Sequence, residues 1–264
     1  MILDPSTSIL PPSLEAMPYQ GTLLFTVATF IPYIGTILFG LFDLLMNGDS
    51  LCLLFVIGGS LCVIPEPVLD ALVHCRFAPK NDLTFFLHRD SEIPWFMLAS
   101  YGTYNGGISY YCYRKFQDKK KAITITGLWS IIAAGYLADF VLEYPVNNFP
   151  LQEYWGCQPF KILGMPWYLP AVNAIMPIVI ASLVRTLGDQ HLKGWKKLAV
   201  ILIVPSGNVL GTASTAWPVW YALDLDAGSH VSNPAAVVSF ILVATTVWIV
   251  SLQFQKPLVK GKAY

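Results

Sequence analysis

Two segments of this chain place paired carboxylic acids inside apolar stretches long enough to cross a membrane: Glu66-Pro67-Val68-Leu69-Asp70 and Asp139-Phe140-Val141-Leu142-Glu143. In each, the acids are four residues apart, so on a helix they project from one face, one turn from each other. An ionisable side chain in hydrocarbon costs roughly 2.5–3.5 kcal/mol on insertion scales, so it marks a functional site by default. Neither segment holds a Lys or Arg to offset that cost. The pattern points to acid/base chemistry inside a membrane.

Composition agrees with that setting. Of 264 residues, 55% are hydrophobic and only 12% charged, where a soluble domain carries about a quarter charged residues. A formal net charge of zero argues against nucleic acid as a partner. The five cysteines show neither C-x-x-C nor zinc spacing, and Cys75 and Cys157 read as two unpaired thiols rather than a disulfide. The first 20 residues hold acids and no basic residue, so the charged start of a cleavable signal peptide is missing.

Apolar stretches of spanning length fall near 21–46, 51–74, 93–113, 122–144, 165–187, 197–222 and 233–254. The expected fold is an all-α integral membrane protein of about seven transmembrane helices, one membrane domain over residues 1–264, with kinks at Pro32 and Pro205. Basic residues cluster in three segments: Arg114, Lys115, Lys119, Lys120 and Lys121; Arg185, Lys193, Lys196 and Lys197; and Lys256, Lys260 and Lys262. Seven spans put all three on the cytoplasmic side and the N-terminus on the lumenal side. The tail Lys260-Gly261-Lys262-Ala263-Tyr264 is similar to a K-x-K-x-x retrieval signal, which predicts the endoplasmic reticulum.

Helices 2–3 and 4–5 read as two copies of one unit: an acid-bearing helix, an aromatic-rich loop, then a Pro-Trp before the next helix. In that register Glu66 corresponds to Asp139, Asp70 to Glu143, Trp95 to Trp167 and Tyr101 to Asn173. Both copies run the same way, so this is a parallel repeat, and a site lined by both acid pairs is its natural consequence.

A carboxyl in a low-dielectric cavity disfavours its charged form, and a second acid nearby reinforces this. One can then act as general acid and its partner as base. Glu66 and Asp70 are the first choice for proton donor and partner, with Asp139 and Glu143 as base or second acid. Trp95, Tyr101, Tyr104, Trp155, Trp167 and Trp217 are candidates for an apolar pocket whose ring faces stabilise a cation, or for an interfacial belt. Asn105, Asn173 and Asn208 either orient substrate oxygens or tie helices together. His74, four residues after Asp70, is a proton shuttle or a solvated side chain. Gly58-Gly59 and Gly106-Gly107 look like close-packing sites.

The stretch from Glu66 to about Leu187 resembles the AveC-like spirocyclase family, multi-span membrane proteins named for the avermectin spiroketal cyclase/dehydratase. The resemblance rests on Glu66-Pro67-x-x-Asp70, Ile93-Pro94-Trp95, Tyr101 and Gly106-Gly107 in the first half. In the second it rests on Glu143, Tyr154-Trp155-Gly156-x-Gln158-Pro159, Gly164-x-Pro166-Trp167 and Asn173. In size, span number and use of intramembrane Glu and Asp, the chain is also similar to membrane-embedded cyclases of fungal terpenoid and meroterpenoid pathways. These likenesses imply ring closure of a lipophilic substrate, with no cofactor or metal required and an epoxidase or prenyltransferase acting upstream in the same membrane. The substrate is either an epoxidised terpenoid or meroterpenoid, or a polyketide hydroxy-ketone that closes to a spiroketal. A proton-coupled transporter or lipid-binding protein is the expectation from a different class. A prenyl-diphosphate enzyme holding Mg²⁺ on the acid pairs is less well served, because the basic residues cluster at the opposite membrane face.

Overall fold

The computed structural model describes residues 16–88, 91–118 and 123–254. Lys119, Lys120, Lys121, the tail with its retrieval-like signal, and most of the N-terminal segment weighed for a signal peptide lie outside the described residues.

Helix α1 (Tyr19–Asn47) runs unbroken through Pro32 and stops at Gly48, whose left-handed backbone lets its N–H reach back to the Leu44 carbonyl. The stretch expected as one span near 51–74 is instead α2 (Leu51–Leu61) and α3 (Glu66–Leu72), bent by 52°. Pro65 and Pro67 cannot donate to the helical ladder, and the link closes on tight three-residue bonds such as Cys62 N–H to the Gly59 carbonyl. The helix predicted near 93–113 spans residues 95–117 as α4 (Trp95–Tyr101), a π-helical turn (Gly102–Ile108) and α5 (Ser109–Gln117). Four longer helices follow: α6 (Ile125–Asn148), capped by Thr124 Oγ1 accepting from Gly127 N–H, then α7 (Leu169–His191), α8 (Val200–Asp224) and α9 (Ser229–Leu252). Helix α8 is also continuous through Pro205. Among the described residues, five helices are long and apolar enough to cross a membrane, or six when α2 and α3 count as one.

The loops hold strands that periodicity alone did not reveal. β1 (Cys75–Phe77) pairs antiparallel with β4 (Gln152–Tyr154), β2 (Thr84–His88) with β3 (Ser91–Pro94), and β5 (Lys161–Ile162) with β6 (Met165–Pro166). Because Pro166 belongs to β6, the second Pro-Trp precedes its helix by a turn, and α7 starts only at Leu169. The first Pro-Trp opens α4 directly.

All three β-ribbons sit at one end of the bundle. The other end collects basic side chains: Arg114 lies 3.6 Å from Asp43, Lys197 lies 3.5 Å from Asp49, and Arg185 stacks on Phe254. Helix α7 is the central post, buried along most of its length and packed on α5, α6, α8 and α9. By contrast α1 and α6 turn large apolar side chains outward (Leu38 60%, Leu45 83% and Val141 67% exposed), as lipid-facing helices do. Helix α6 packs chiefly on α7 and α9, with only slight contact to α1 and α5.

Close approach through glycine holds α2 against the π-helical turn. A Cβ on Gly59 would lie 2.5 Å from the Gly106 nitrogen, and one on Gly106 would lie 2.7 Å from the Phe55 carbonyl oxygen. Small residues let membrane helices meet backbone to backbone in this way. Gly59→Ala should therefore lower the thermal midpoint of the detergent-solubilised protein, by about 1–3 kcal/mol of overpacking. Gly35→Ala, where an added Cβ meets nothing within 4 Å, should leave the midpoint unchanged or raise it.

The β2–β3 hairpin is pinned by Glu92, whose Oε2 accepts from the Asn81 N–H at 2.7 Å and from Thr84 Oγ1 at 2.6 Å. Hydrogen bonds from Thr84, and then from the backbone, hold this carboxyl below the ordinary glutamate value. A depressed value means the tie is fully present above about pH 4.3, the ordinary value, and is lost as pH falls through the depressed one. Amide protection at Asn81 should drop across that acid window, and Glu92→Gln should abolish the pH dependence.

Candidate active site: a carboxyl-lined cavity

A cavity of about 270 Å³ opens between α1, α3, α4 with its π-helical turn, α6, α7 and α8. All four sequence-nominated acids line it: Glu66 and Asp70 from α3, and Asp139 and Glu143 from α6. The bend at Pro65 aims α3's acid face inward, and the four-residue spacing keeps each pair on one face. Glu66 is buried, and the other three are half-buried because they border the cavity.

No Lys or Arg lines the cavity among the described residues. The carboxyls are held by neutral donors instead. Tyr101 Oη donates to Glu66. Asn173 Nδ2 donates to Asp139 Oδ2 at 3.1 Å and to Glu143 Oε1 at 3.2 Å, and Tyr154 Oη donates to Glu143 Oε2 at 2.8 Å. Asp70 has no hydrogen-bond partner among the described residues, although it faces the same space. Among those residues, no group of three or more His, Cys, Asp or Glu is arranged to hold a metal ion.

Of the nominated binding residues, Tyr101, Asn173 and Asn208 line the cavity, and so does Tyr104. Asn105 sits just behind, donating through Nδ2 to Asn208 Oδ1 at 3.1 Å. That bond orients the Asn208 amide and leaves its Nδ2 without a partner among the described residues, as are Thr103 Oγ1 and Tyr104 Oη. All three residues line the cavity, and these enclosed atoms are unpaired polar groups of its wall. The tryptophans are not brought to it. Trp95 is 40% exposed with its ring against Phe85, Trp167 packs edge-on to Phe140, and Trp217 faces outward. Trp155 stacks on His74, with ring centroids 5.2 Å apart. His74 lies past the end of α3, off the cavity, and burial holds its imidazole below the ordinary value. All five cysteines are free thiols.

Other contributors had no site role assigned from the sequence, although Tyr154 and Gln158 belong to the motif that carries the resemblance. Gln152 and Tyr154 reach the site only because β4 pairs with β1. Gln158 Nε2 donates to the carbonyls of Val73, His74 and Trp155, at 2.7, 3.3 and 3.0 Å. It thus latches the β4 loop onto the open end of α3, whose last carbonyls lack helical partners. Helix α8 brings Thr212 beside Asn208 because Gly207 and Gly211 let it press onto Ile180 and Met176 of α7. Phe25, Thr29 and Pro32 of α1 complete the wall; their spacing of about one helical turn was the available signal.

No family model matches the chain, and no curated protein or solved structure matches it.

Proposed function

We propose that this protein is a membrane-embedded, cofactor-independent acid/base cyclase acting on a lipophilic natural product. The observation that carries this reading is the convergence of four carboxyls on one cavity with only neutral hydrogen-bond donors around them. Carboxyls confined together without a cation share protons between them, which supplies both an acid and a base at one site.

Asp70, free of protein donors, is the group placed to hand over a proton. On an epoxide, Asp70 protonates the oxygen, the C–O bond breaks, and the electron pair of a neighbouring alkene forms the new ring bond. The resulting cation loses a proton to Asp139 or Glu143, so the product is an isomer of the substrate with one new hydroxyl. The proton taken up by Asp139 or Glu143 then returns to Asp70 by way of Glu66, which closes the cycle. Asn208 Nδ2, Thr103 Oγ1 and Tyr104 Oη are the donors available to a second substrate oxygen. A spiroketal closure on a hydroxy-ketone would use the same acid, with loss of water instead. The AveC-like motifs favour that version, since Tyr154, Gln158 and Asn173 among them build the site's second half. A terpenoid or meroterpenoid substrate implies an epoxidase or prenyltransferase upstream in the same membrane.

We also infer the parallel repeat and the seven-span topology. At matched positions of the proposed register, Tyr101 donates to Glu66 and Asn173 donates to Asp139. Each acid-bearing helix is followed by three short strands and a helix. The β1–β4 pairing is itself two-fold symmetric about Arg76 and Glu153. With residues 95–117 as the third span, the count is seven, and the gathering of Arg114, Arg185 and Lys197 at one end fits a cytoplasmic face there. A glycosylation acceptor introduced in the β2–β3 loop should be modified in endoplasmic-reticulum membranes, while one placed after Gly194 should not. The reverse pattern overturns the orientation.

The functional reading is tested by mass spectrometry of microsomes bearing the protein and fed epoxy-prenyl and dihydroxy-ketone substrates without added metal. An isomer of unchanged mass supports epoxide-initiated cyclisation, and loss of water supports the spiroketal version. Glu66→Gln and Asp70→Asn should each abolish product at normal protein level in the membrane. Well-inserted, fully active variants would remove the catalytic assignment. Absence of turnover by the inserted wild type would turn the reading toward a transporter or lipid-binding protein.

A further inference from the structure

A second cavity, of about 550 Å³, lies below the first. Tyr104, Ile108 and Ala138 line both. From that shared wall it runs between α5 and α6, past Tyr111, Ile131 and Ala134, to Lys115 and Gly127 near the basic end of the bundle. Apart from Ser130, Lys115 and the two tyrosine hydroxyls, its lining is apolar.

The void follows from one face of α6. Gly127, Ser130, Ala134, Gly135 and Ala138 recur at helical spacing along it. In membrane proteins such residues ordinarily let two helices touch. Here contact between α6 and α5 is slight, and Ser130, Ala134 and Ala138 are exposed along the cavity, while Gly135 sits against Ala174 of α7. Contact between α6 and α1 is also slight beside the first cavity, with Val146 near the end of α6 sharing an apolar cluster with Phe25. The two cavities meet at the wall made by Tyr104, Ile108 and Ala138, with carboxyls on one side of it and hydrocarbon walls on the other. Walls of this kind lose dispersion contacts unless something apolar fills them.

We propose that the second cavity holds the hydrocarbon chain of the molecule whose oxygen-bearing end lies among the carboxyls. This rests on the reading of the first cavity as the site of a lipophilic substrate, and it specifies that substrate's shape. From Tyr104 to Lys115, and from Gly127 to Ala138, the walls span twelve residues each, or about 16 Å from end to end at the helical rise. The substrate is thus a long molecule with its oxygen function at one end and an unfunctionalised chain of about that length trailing along α6. Ala134 and Ile131 set how long and how bulky the chain is.

The test is binding, so it does not depend on turnover. Purified full-length protein in detergent is photolabelled with two diazirine probes bearing the same terminal epoxide, one on a chain long enough to reach Lys115 and one on a chain ending at Ala138. Cross-linked peptides are identified by mass spectrometry, and affinities come from competition. The long probe should label residues within 111–115 and 123–134, which line only the second cavity, and the short probe should not. Ala134→Phe should weaken the long probe by about tenfold or more, the scale of lost pocket contacts, and leave the short probe within about twofold. Ile131→Ala should shift preference toward a bulkier chain, which keeps the proposal testable if the Phe variant fails to fold. Equal effects on both probes, or labelling of this cavity only by a diazirine phospholipid that the epoxide probes do not displace, would overturn the proposal. Chain-length-dependent binding without any cyclised product would instead leave the pocket standing and remove the cyclase reading.

Discussion

Four carboxyl groups enclosed by apolar walls, without a cation among the described lining residues, dominate the local architecture of this protein. Buried polar groups must find hydrogen bonds, and here neutral donors on separate elements have to converge to provide them. Each convergence requires a departure from regular structure. α3 must bend away from α2 at Pro65 to turn Glu66 and Asp70 inward. The helix carrying Tyr101 and Tyr104 widens into a π turn beside the site, a departure common where helices carry function. β4 must pair with β1 to bring Tyr154 within reach of Glu143. These irregular pieces are then stabilised elsewhere, by the Gly59–Gly106 approach on one side and the Gln158 latch on the other.

The two ends of the bundle hold their charges differently. At the basic end Asp43 accepts from Tyr110 and Asn47 and lies beside Arg114, while Lys197 lies beside Asp49. At the ribbon end Lys161 Nζ donates to the Tyr154 carbonyl at 2.6 Å, behind the site and not among the residues lining the cavity. The carboxyl cluster is left to neutral partners, which is the environment acid/base chemistry needs. Helix α6 connects the two regimes. It carries Asp139 and Glu143 on one stretch and small residues on another, and it rests chiefly on α7 and α9.

Much of this was legible in the sequence, for definable reasons. The acid pairs and most spans follow from local periodicity and from the cost of charge in hydrocarbon, both properties of short windows. Asn173, Tyr101 and Asn208 stood out because polar groups inside apolar spans are rare. What stayed hidden depends on contacts between distant segments. β1 and β4 are too short to declare themselves and exist only through each other. The bend after α2 had its prolines in plain view, yet hydropathy averaged over residues 51–74 passes smoothly across it. The tryptophans misled because an amphipathic ring is as well placed at the surface as in a pocket, and Trp95 and Trp217 took the surface. Asp43 gave no signal in the sequence, because only the fold brings Tyr110 and Arg114 to it.

The two halves of the proposed repeat differ where the chemistry would divide. Tyr101 and Asn173 correspond in register, but a phenol carries one O–H and an amide two N–H groups. Tyr101 can thus serve only Glu66, whereas Asn173 reaches both Asp139 and Glu143. The third residue of β4 is Tyr154, which adds a hydroxyl to Glu143; the third residue of β1 is Phe77, which has none to give. Two differences of residue type therefore leave Asp70 without a protein donor while its counterpart Glu143 has two. Hydrogen bonds from two donors favour the charged form more than in a carboxyl of the same cavity that has none. In the cyclase reading proposed above, that difference assigns Asp70 as the acid and Glu143 as the base. The exchange of Tyr for Asn and of Phe for Tyr at matched positions is enough to produce it.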